Sequence, residues 1–553
     1  MIRRSCILIV ASILCWRVES GSFDEAVWNG RRAQEALARS HKTLHAYLKR
    51  LDPVTGLLPR RGGQDAWYVR DSAADLYPFL VMAAWFTDRP VFEREMHAIL
   101  RNEIRHSTRL GMLSDNVLPG GMGFEFPTLD VDRILFGSAE YMKDGLLPLT
   151  ELLGHTAWFE RMVGMADDLI RHATYETRFG QVPSLEAEVN GDVLQVLARL
   201  SWLTSKPEYL DQALRIADFY FKEVIPGANG LPVQKWDLAN HRPALDFFNF
   251  ADHGNEIAGG LAELVLLLKE RGHPKLGEYR DPLVHFMDEI LSCGLNEDGV
   301  WIGSIEAGTR KVRDPRHAHC WGYLFNAVYT TYLITGETRF PDAVRRALDS
   351  VTEKPTYLDD PEGSGRKYGS NAYSDAIESA IVFLNRLPSE RTFEVLDTCV
   401  ERFLSRQRED GLIEDWYGDG NYVRTALMYA LMKSAGCWIE PWRSDVALGA
   451  VRDVTGVTLA LSAETPWKGR IRFDRPRHQR HFGMSVNYPR LNEFPEWFVV
   501  REDRLYRVKT SEGEEIRSGA ELVQGFEVRV EGNDPLDIHV GPLEGPPYGG
   551  SGE

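Results

Sequence analysis

The strongest constraint on this chain is a recurrence. Apolar residues return at helical spacing in fourteen segments, about 25–50, 67–87, 90–109, 138–153, 155–173, 185–204, 206–224, 252–270, 276–293, 317–335, 340–353, 371–387, 389–406 and 420–436. The linkers alternate in kind. Short ones read Thr87-Asp88-Arg89-Pro90 or Thr204-Ser205-Lys206-Pro207. Long ones carry a glycine followed by aliphatic residues, as in Gly56-Leu57-Leu58-Pro59, Gly230-Leu231-Pro232-Val233, Gly299-Val300 and Gly411-Leu412-Ile413. One supersecondary unit recurring every ~50–70 residues marks a repeat array. The segment after each long loop is the more apolar, as from Ile257 to Leu268 and from Tyr323 to Leu333. A helix apolar nearly all round must be buried, whereas an amphipathic partner such as Glu93 to His97 faces water on one side. An inner ring of apolar helices within an outer ring of amphipathic ones satisfies both patterns. The expected fold is therefore mainly α, an (α/α)6-7 toroid of helical hairpins over residues 21–442.

The pattern changes after Trp442. Runs such as Val457 to Leu461, Glu496 to Arg501 and Phe526 to Val530 alternate with period two, the pattern of antiparallel strands. Residues 443–542 are expected to form a small β-sandwich domain, with 543–553 as a loose Gly/Pro-rich tail. At the other end, Arg3 and Arg4 precede an apolar run from Cys6 to Trp16, and Val18-Glu19-Ser20 offers small residues where a signal peptidase reads. Residues 1–20 read as a signal peptide, and the mature protein as secreted or periplasmic.

The net charge of −17 argues against a nucleic-acid partner. No later apolar run reaches eighteen residues, so no membrane association is expected after signal cleavage. Cys293, Cys320, Cys399 and Cys437 are too sparse for a disulfide scaffold.

In a helical toroid the starts of the inner helices converge on one mouth, and polar residues there are informative. The first inner helix begins Trp67-Tyr68-Val69-Arg70-Asp71 and adds Asp75. The second has Glu140 and Asp144, the third Glu188, Asn190 and Asp192. The fourth begins Asp252-His253-Gly254-Asn255-Glu256, and the fifth His317-Ala318-His319-Cys320-Trp321 after Arg313 and Arg316. The sixth has Tyr373, Asp375 and Glu378, the seventh Asp419, Asn421 and Arg424. An acid in a first helical turn also stabilises the helix dipole, and Asp or Asn caps free amides. That explanation suffices for one pair such as Asp71 and Asp75. It does not cover seven mouth-end sets of carboxylates, histidines, arginines and aromatics on otherwise apolar segments. The set describes a cleft with hydrogen-bonding groups and sugar-stacking rings.

Three clusters stand out. Asp252 to Glu256 is dense in proton-transfer groups, although a lone His253 is ordinarily a satisfied core histidine. Arg313 to Trp321 reads either as an exposed basic loop or as a binder of an acidic sugar, since arginine grips carboxylate bidentately. Asp415-Trp416-Tyr417-Gly418-Asp419-Gly420-Asn421 reads as a rim loop with stacking aromatics. His317, His319 and Cys320 lie too close in sequence to share a helix face, so no metal is expected there. No phosphate-binding glycine loop or Gly-x-Ser-x-Gly elbow occurs, and no cofactor is expected. In the β-domain, Trp467 to His478 and Asn487 to Phe498 are richer in polar and aromatic residues than a sandwich needs. They read as an interface with the toroid, or as a loop reaching the cleft.

A leader segment, repeated hairpins with Gly-Leu-Leu-Pro-type loops, inner-helix acids and a terminal β-domain resemble the six-hairpin glycosidase-like superfamily. The resemblance covers roughly 25–440, and less specifically 445–542. It implies an (α/α)-toroid found in glycoside hydrolases, uronyl hydrolases and polysaccharide lyases, and it transfers no catalytic residue. With the residues above, the expectation is a glycoside hydrolase on a poly- or oligosaccharide, uronic-acid-containing by preference because of Arg313 and Arg316. The candidate catalytic residues are Glu256 first, then Asp252, His253, Asp71, Glu140 and Asp375. The candidate substrate-binding residues are Trp67, Arg70, Asn255, Arg316, His317, His319, Trp321, Tyr373, Trp416, Asn421 and Arg424. The alternatives are a polysaccharide lyase, in which His253, His317, His319 or Tyr373 removes a proton and Asn255 or Arg424 neutralises the uronate, and a glycan-binding protein without turnover. Nothing in the sequence indicates an oligomeric state.

Overall fold

The computed structural model describes residues 5–60, 66–359, 369–532 and 534–545, with side chains from residue 22 onward. Residues 1–4 of the expected signal segment and 546–553 of the expected tail lie outside the described residues. Among the described residues no helix is long and apolar enough to cross a membrane.

Among the described residues, fourteen helices build the toroid, in seven hairpins. The outer helices are α1 (Ser5–Leu48), α3 (Arg89–Val91, Phe92–Met96 and His97–Ser107 in succession), α5 (Ala157–Arg171), α7 (Pro207–Phe219, continued by Tyr220–Val224), α9 (Leu276–Cys293), α11 (Arg339–Glu353) and α13 (Glu390–Leu404). The inner helices are α2 (Val69–Leu76 then Tyr77–Thr87), α4 (Val131–Glu140, Tyr141–Leu146 and Leu147–Leu153), α6 (Ala187–Leu203), α8 (Asn255–Glu270), α10 (Trp321–Thr335), α12 (Ser370–Leu384) and α14 (Gly418–Lys433). Each inner helix packs on the next, and α14 packs back on α2, so the ring closes with seven members. The burial follows the expected division. Every residue from Ile257 to Leu268 except Gly259 is buried, while α11 buries one stripe formed by Phe340, Ala343, Val344, Ala347, Leu348 and Val351.

Small residues draw the inner helices together. Gly145 of α4 lies on the backbone of Ala74 and on Pro78, Gly191 of α6 on the backbone of Glu256, Gly322 of α10 on Ser379, and Gly420 of α14 on the carbonyl of Asp75. At each contact a Cβ would occupy space already taken by the neighbouring helix, which is why glycine stands there. The mouth-end stretches of α2 (Val69–Leu76) and mid-α4 (Tyr141–Leu146) are π-helical. A π-turn re-aims side chains within an otherwise regular helix and recurs at functional sites.

The chain then builds a two-sheet antiparallel sandwich. Strands β1 (Trp438–Glu440), β4 (Trp467–Arg472) and β7 (Phe526–Val530) form a three-stranded sheet in that order. Strands β2 (Val446–Arg452), β3 (Val457–Ala463), β8 (Leu536–Pro542), β5 (Leu505–Thr510) and β6 (Gly513–Ser518) form a five-stranded one. The alternation is plain in β7, where Phe526, Val528 and Val530 are buried and Glu527 and Arg529 exposed. β1 begins ahead of residue 443, because Trp438, Ile439 and Glu440 pair with Arg472, Ile471 and Arg470. β2 lies against α1 through Gly30 and Gly449, and Asn29 Nδ2 donates to the Ala450 carbonyl at 2.9 Å.

Between β4 and β5 the chain leaves the sandwich. A short helix, α15 (Arg477–Phe482), leads into a segment that fills the axis of the ring from the C-terminal ends of the inner helices. His481 Nδ1 donates to the Glu151 carbonyl at 2.6 Å, and Tyr488 donates to Glu263 Oε2 at 3.0 Å. Arg490 Nε donates to Glu151 Oε2 at 3.0 Å, and Arg386 Nη2 to Glu493 Oε1 at 2.8 Å. Buried ions are tolerated only when paired in this way. The segment is an interface with the toroid, and its tip reaches the cleft.

Candidate active site

At the mouth end the ring encloses a polar cavity of about 280 Å³, whose walls come from six inner helices and whose base is Leu491 and Asn492 of the β-domain segment. Its walls carry an alternation of charges. Arg70 Nε is paired with Glu140, and Arg70 Nη2 lies 3.3 Å from Glu188 Oε1 with the Phe136 ring beneath the guanidinium at 3.8 Å. Glu188 Oε1 also holds His253 Nδ1 at 2.5 Å. Lys143 Nζ sits among Asp144 (3.0 Å), Asp192 (3.4 Å) and Glu256 (3.6 Å). His319 Nε2 lies 3.1 Å from Asp252 Oδ2 and 3.3 Å from Asp375 Oδ2. Tyr323 donates to Asp375 Oδ1 at 2.7 Å, and Arg424 Nη2 donates to the same oxygen at 2.8 Å. Arg60 pairs with Asp71 and lies over the Tyr68 ring at 4.3 Å.

These neighbours separate the carboxyls into two kinds. Burial pushes Glu140 up to about 8, with Glu188 and Asp144 adding to the rise against the pull of Arg70. Burial and the adjacent Asp144, Glu140 and Asp71 hold Asp75 well above the usual carboxylate range. Burial alone would raise Asp252 too, but His319 and then His253 hold it well below that range. Burial opposes charge on His253, yet the Glu188 hydrogen bond and the charges of Glu188, Asp252 and Glu256 push it up to about 10. His319 is raised likewise by Asp252 and Asp375 against its burial. Both histidines are thus imidazolium at neutral pH.

The cavity gathers Asp252, His253, Asp71, Glu140 and Asp375 of the expected catalytic set, with Arg70, Asn421 and Arg424 of the binding set. His319 stands behind the Asp252–Asp375 wall. Other candidates lie elsewhere. Glu256 lies one layer below, lining a small void with Asn255, Gln195 and Glu263 beneath Lys143. Burial pushes it up to about 7 against the pull of Lys143. Asp252 and His253 precede α8, which starts at Asn255, so one-face spacing does not relate them to Glu256. His253 has φ +72°, a left-handed backbone just before the helix.

Trp67 and Trp321 are core residues, 1% and 0% exposed, with no face toward the cavity. Arg316 and His317 belong to a rim hairpin of strands Ile302–Ile305 and Val312–His317. There Arg316 Nη2 turns to Asp314 at 2.6 Å, and the His317 ring packs on Tyr357 at 4.7 Å. Tyr373 lies under the Arg406 guanidinium at 4.4 Å, and Trp416 packs on Tyr417 at 4.4 Å. Arg424 lines the cavity, but its guanidinium is engaged by Asp375, Glu378, Asn421 and Asn492. Asp419, read as a mouth acid, receives the amides of Ile413, Glu414 and Asp415 and holds the rim loop.

Lys143, Arg60, Tyr323 and Asn371 line the cavity without having been singled out as site residues, and Tyr417 of the rim loop and Asn492 of the 487–498 stretch line it too. Lys143 carried a signal, a cation three residues from Glu140 on an apolar helix. Asp252, His319 and Cys320 place one donor atom each within 4.8 Å of one another, a geometry a metal could use. Burial and the nearby Asp252 and Asp375 raise the Cys320 thiol, and Asp252 and Asp375 raise His319 against its burial, so an ion there would have to displace a proton from each.

No family model and no curated protein matches the chain by sequence. Solved structures match it in shape. A cellobiose 2-epimerase from Bacillus thermoamylovorans is 12% identical with a TM-score of 0.43, covering 60% of this chain and 89% of its own. An inactive α-1,6-mannanase variant from Salegentibacter, bound to α-1,6-mannotriose, is 13% identical with a TM-score of 0.43, over 59% and 95%. A family 76 glycoside hydrolase from a bovine Bacteroides thetaiotaomicron strain is 12% identical with a TM-score of 0.40, over 72% and 77%. Similarity at this level says nothing of substrate or mechanism. The closed ring of alternating inner and outer helices stands on this chain's own contacts. The fold is a toroid of helical hairpins, seven of them among the described residues.

Proposed function

We propose that the chain is a carbohydrate-active enzyme, and within that class a glycoside hydrolase. The observation that carries this reading is the division of carboxyls around one cavity. Glu140 and Asp75, on α4 and α2, are kept protonated, while Asp252, before α8 on the far side of the ring, is kept ionised. Glycoside hydrolysis needs that pair: an acid to protonate the leaving oxygen and a carboxylate to act as nucleophile or to activate water. In this reading Glu140 is the general acid, its protonation supported by burial, Glu188 and Asp144. Asp252 is the base or nucleophile, and His319 and His253 fix its charge.

Elimination fits less well. A histidine base must be neutral to take a proton, and His253 and His319 are both held as imidazolium. Tyr323 is committed as a donor to Asp375 and Glu378. A neutral glycan fits better than an acidic one. Arg60 is matched by Asp71, Arg70 by Glu188, Lys143 by Asp144 and Arg424 by Asp375, and Arg316 turns to Asp314 on the rim.

The test is a panel of neutral and acidic polysaccharides read for reducing ends and for ultraviolet absorbance of a 4,5-unsaturated uronate. Reducing ends without absorbance are expected. Both signals rising together would establish elimination instead. Saturable binding in calorimetry with neither signal would leave a glycan-binding protein.

A further inference from the structure

Outside the cavity, the first hairpin carries a second set of polar groups. α1 places His41 and His45 four residues apart on one face, with ring centroids 4.4 Å apart. The turn after α2 adds Asp88, whose Oδ2 lies 2.9 Å from His45 Nε2. One donor atom from each of the three lies within 4.8 Å of the others. None of the three lines the cavity.

The surroundings orient each donor. Thr87 Oγ1 gives its own proton to the Ala83 carbonyl at 2.7 Å, so it accepts from His41 Nδ1 at 3.1 Å. That fixes the tautomer and leaves the His41 lone pair on Nε2. Asp88 spends Oδ1 on the Val91 amide at 3.2 Å, capping α3, so Oδ2 is the oxygen presented to the histidines. The Trp442 ring, 4.8 Å from His41, walls one side. A ligating imidazole whose second nitrogen is hydrogen-bonded, beside a carboxylate whose second oxygen is held, is the outer-shell arrangement of protein metal centres.

We propose that His41, His45 and Asp88 bind a divalent transition-metal ion, zinc by preference, with solvent completing the coordination. Two imidazoles and one carboxylate form a ligand set that zinc accepts, and hard ions such as calcium, which want only oxygens, do not. On binding, the ion replaces the proton shared by His45 and Asp88. It ties α1 to the end of α2, at the hairpin against which α14 closes the ring.

The test uses the full chain, freed of metal with a chelator and then titrated with zinc chloride by calorimetry and with cobalt(II) by visible absorption. One equivalent is expected, with the d–d bands of a nitrogen- and oxygen-ligated cobalt. His41→Ala and His45→Ala should each abolish that transition, with folding checked by circular dichroism, and Thr87→Val should weaken it about tenfold. Absence of binding in the unaltered chain would overturn the proposal, and so would retention of the transition in His41→Ala. Loss of the transition in Cys320→Ser would also overturn it, by placing the ion at Asp252, His319 and Cys320.

Discussion

Asn492 donates its side-chain amide to the main-chain oxygen of Asp144 at 2.9 Å, across 348 positions of sequence. Its Oδ1 accepts from Arg424 at 2.7 Å, and its backbone amide donates to Glu378 Oε1 at 2.7 Å. A β-domain residue with φ +55° thus fastens three inner helices at the base of the cavity. Asn492→Ala should leave Arg424 and the Asp144 carbonyl each one partner short, costing about 1–3 kcal/mol. If the base positions substrate, kcat/KM should fall on the order of a hundredfold. A lower urea midpoint with kcat/KM unchanged would reduce Asn492 to a structural clasp.

Glu140→Gln and Asp252→Asn keep shape and remove one carboxyl each. Either should lower kcat by roughly 10²–10⁴ while melting stays within a few degrees. Glu256→Gln should be milder, because Glu256 lies beneath Lys143 and not on the cavity wall. Full activity in Asp252→Asn would remove it from the chemistry.

The pH profile follows from Glu140. Its carboxyl is raised to about 8, so the acid form is present below that pH and is lost above it. Activity should fall as pH rises through about 8, and Glu140→Gln should lose that limb along with most of its rate. A profile flat to pH 9.5 would assign the acid elsewhere.

Glu151 and Arg490 are both buried, and this pair holds the β-domain segment in the ring. Burial alone would raise Glu151, but Arg490 draws it down to about 2 from its ordinary 4.5. A depressed carboxyl contributes stability that is present above pH 4.5 and is lost as pH falls toward 2. Glu151→Gln strands a buried guanidinium and should cost about 3–5 kcal/mol at neutral pH. The same variant should show a shallower loss of stability in acid, measured by urea unfolding at pH 7 and pH 3.

Gly420 packs on the carbonyl of Asp75 where α14 meets α2. Gly420→Ala should push the two helices apart at about 1–3 kcal/mol and displace Asp75. Activity should drop more than that destabilisation explains. An alanine variant with ordinary melting and rate would mean the seam gives easily.

Much of the fold was legible because burial leaves a period. Tyr323 to Leu333 and Ile257 to Leu268 are apolar on all sides, and only an inner ring buries such helices. Counting hairpins allowed six or seven, and the closed ring has seven. The site was legible only as a region. Asp71, Glu140 and Asp375 line the cavity because their helices start at the mouth. Glu256 does not, because it lies on α8 against Lys143, lining the void below the cavity. Trp67 and Trp321 stand at helix starts yet face the core, and aromatic composition does not encode that choice. Asn492 was beyond reach, since its partners lie on three helices up to 348 residues away.

The segment from Tyr488 to Glu496 has one more consequence. A ring open at both ends is a tunnel, through which a polymer could be reeled as it is cut. With its axis stoppered by the β-domain the ring becomes a cup. Whatever enters must back out by the same lip, and the reach of the substrate is set by depth.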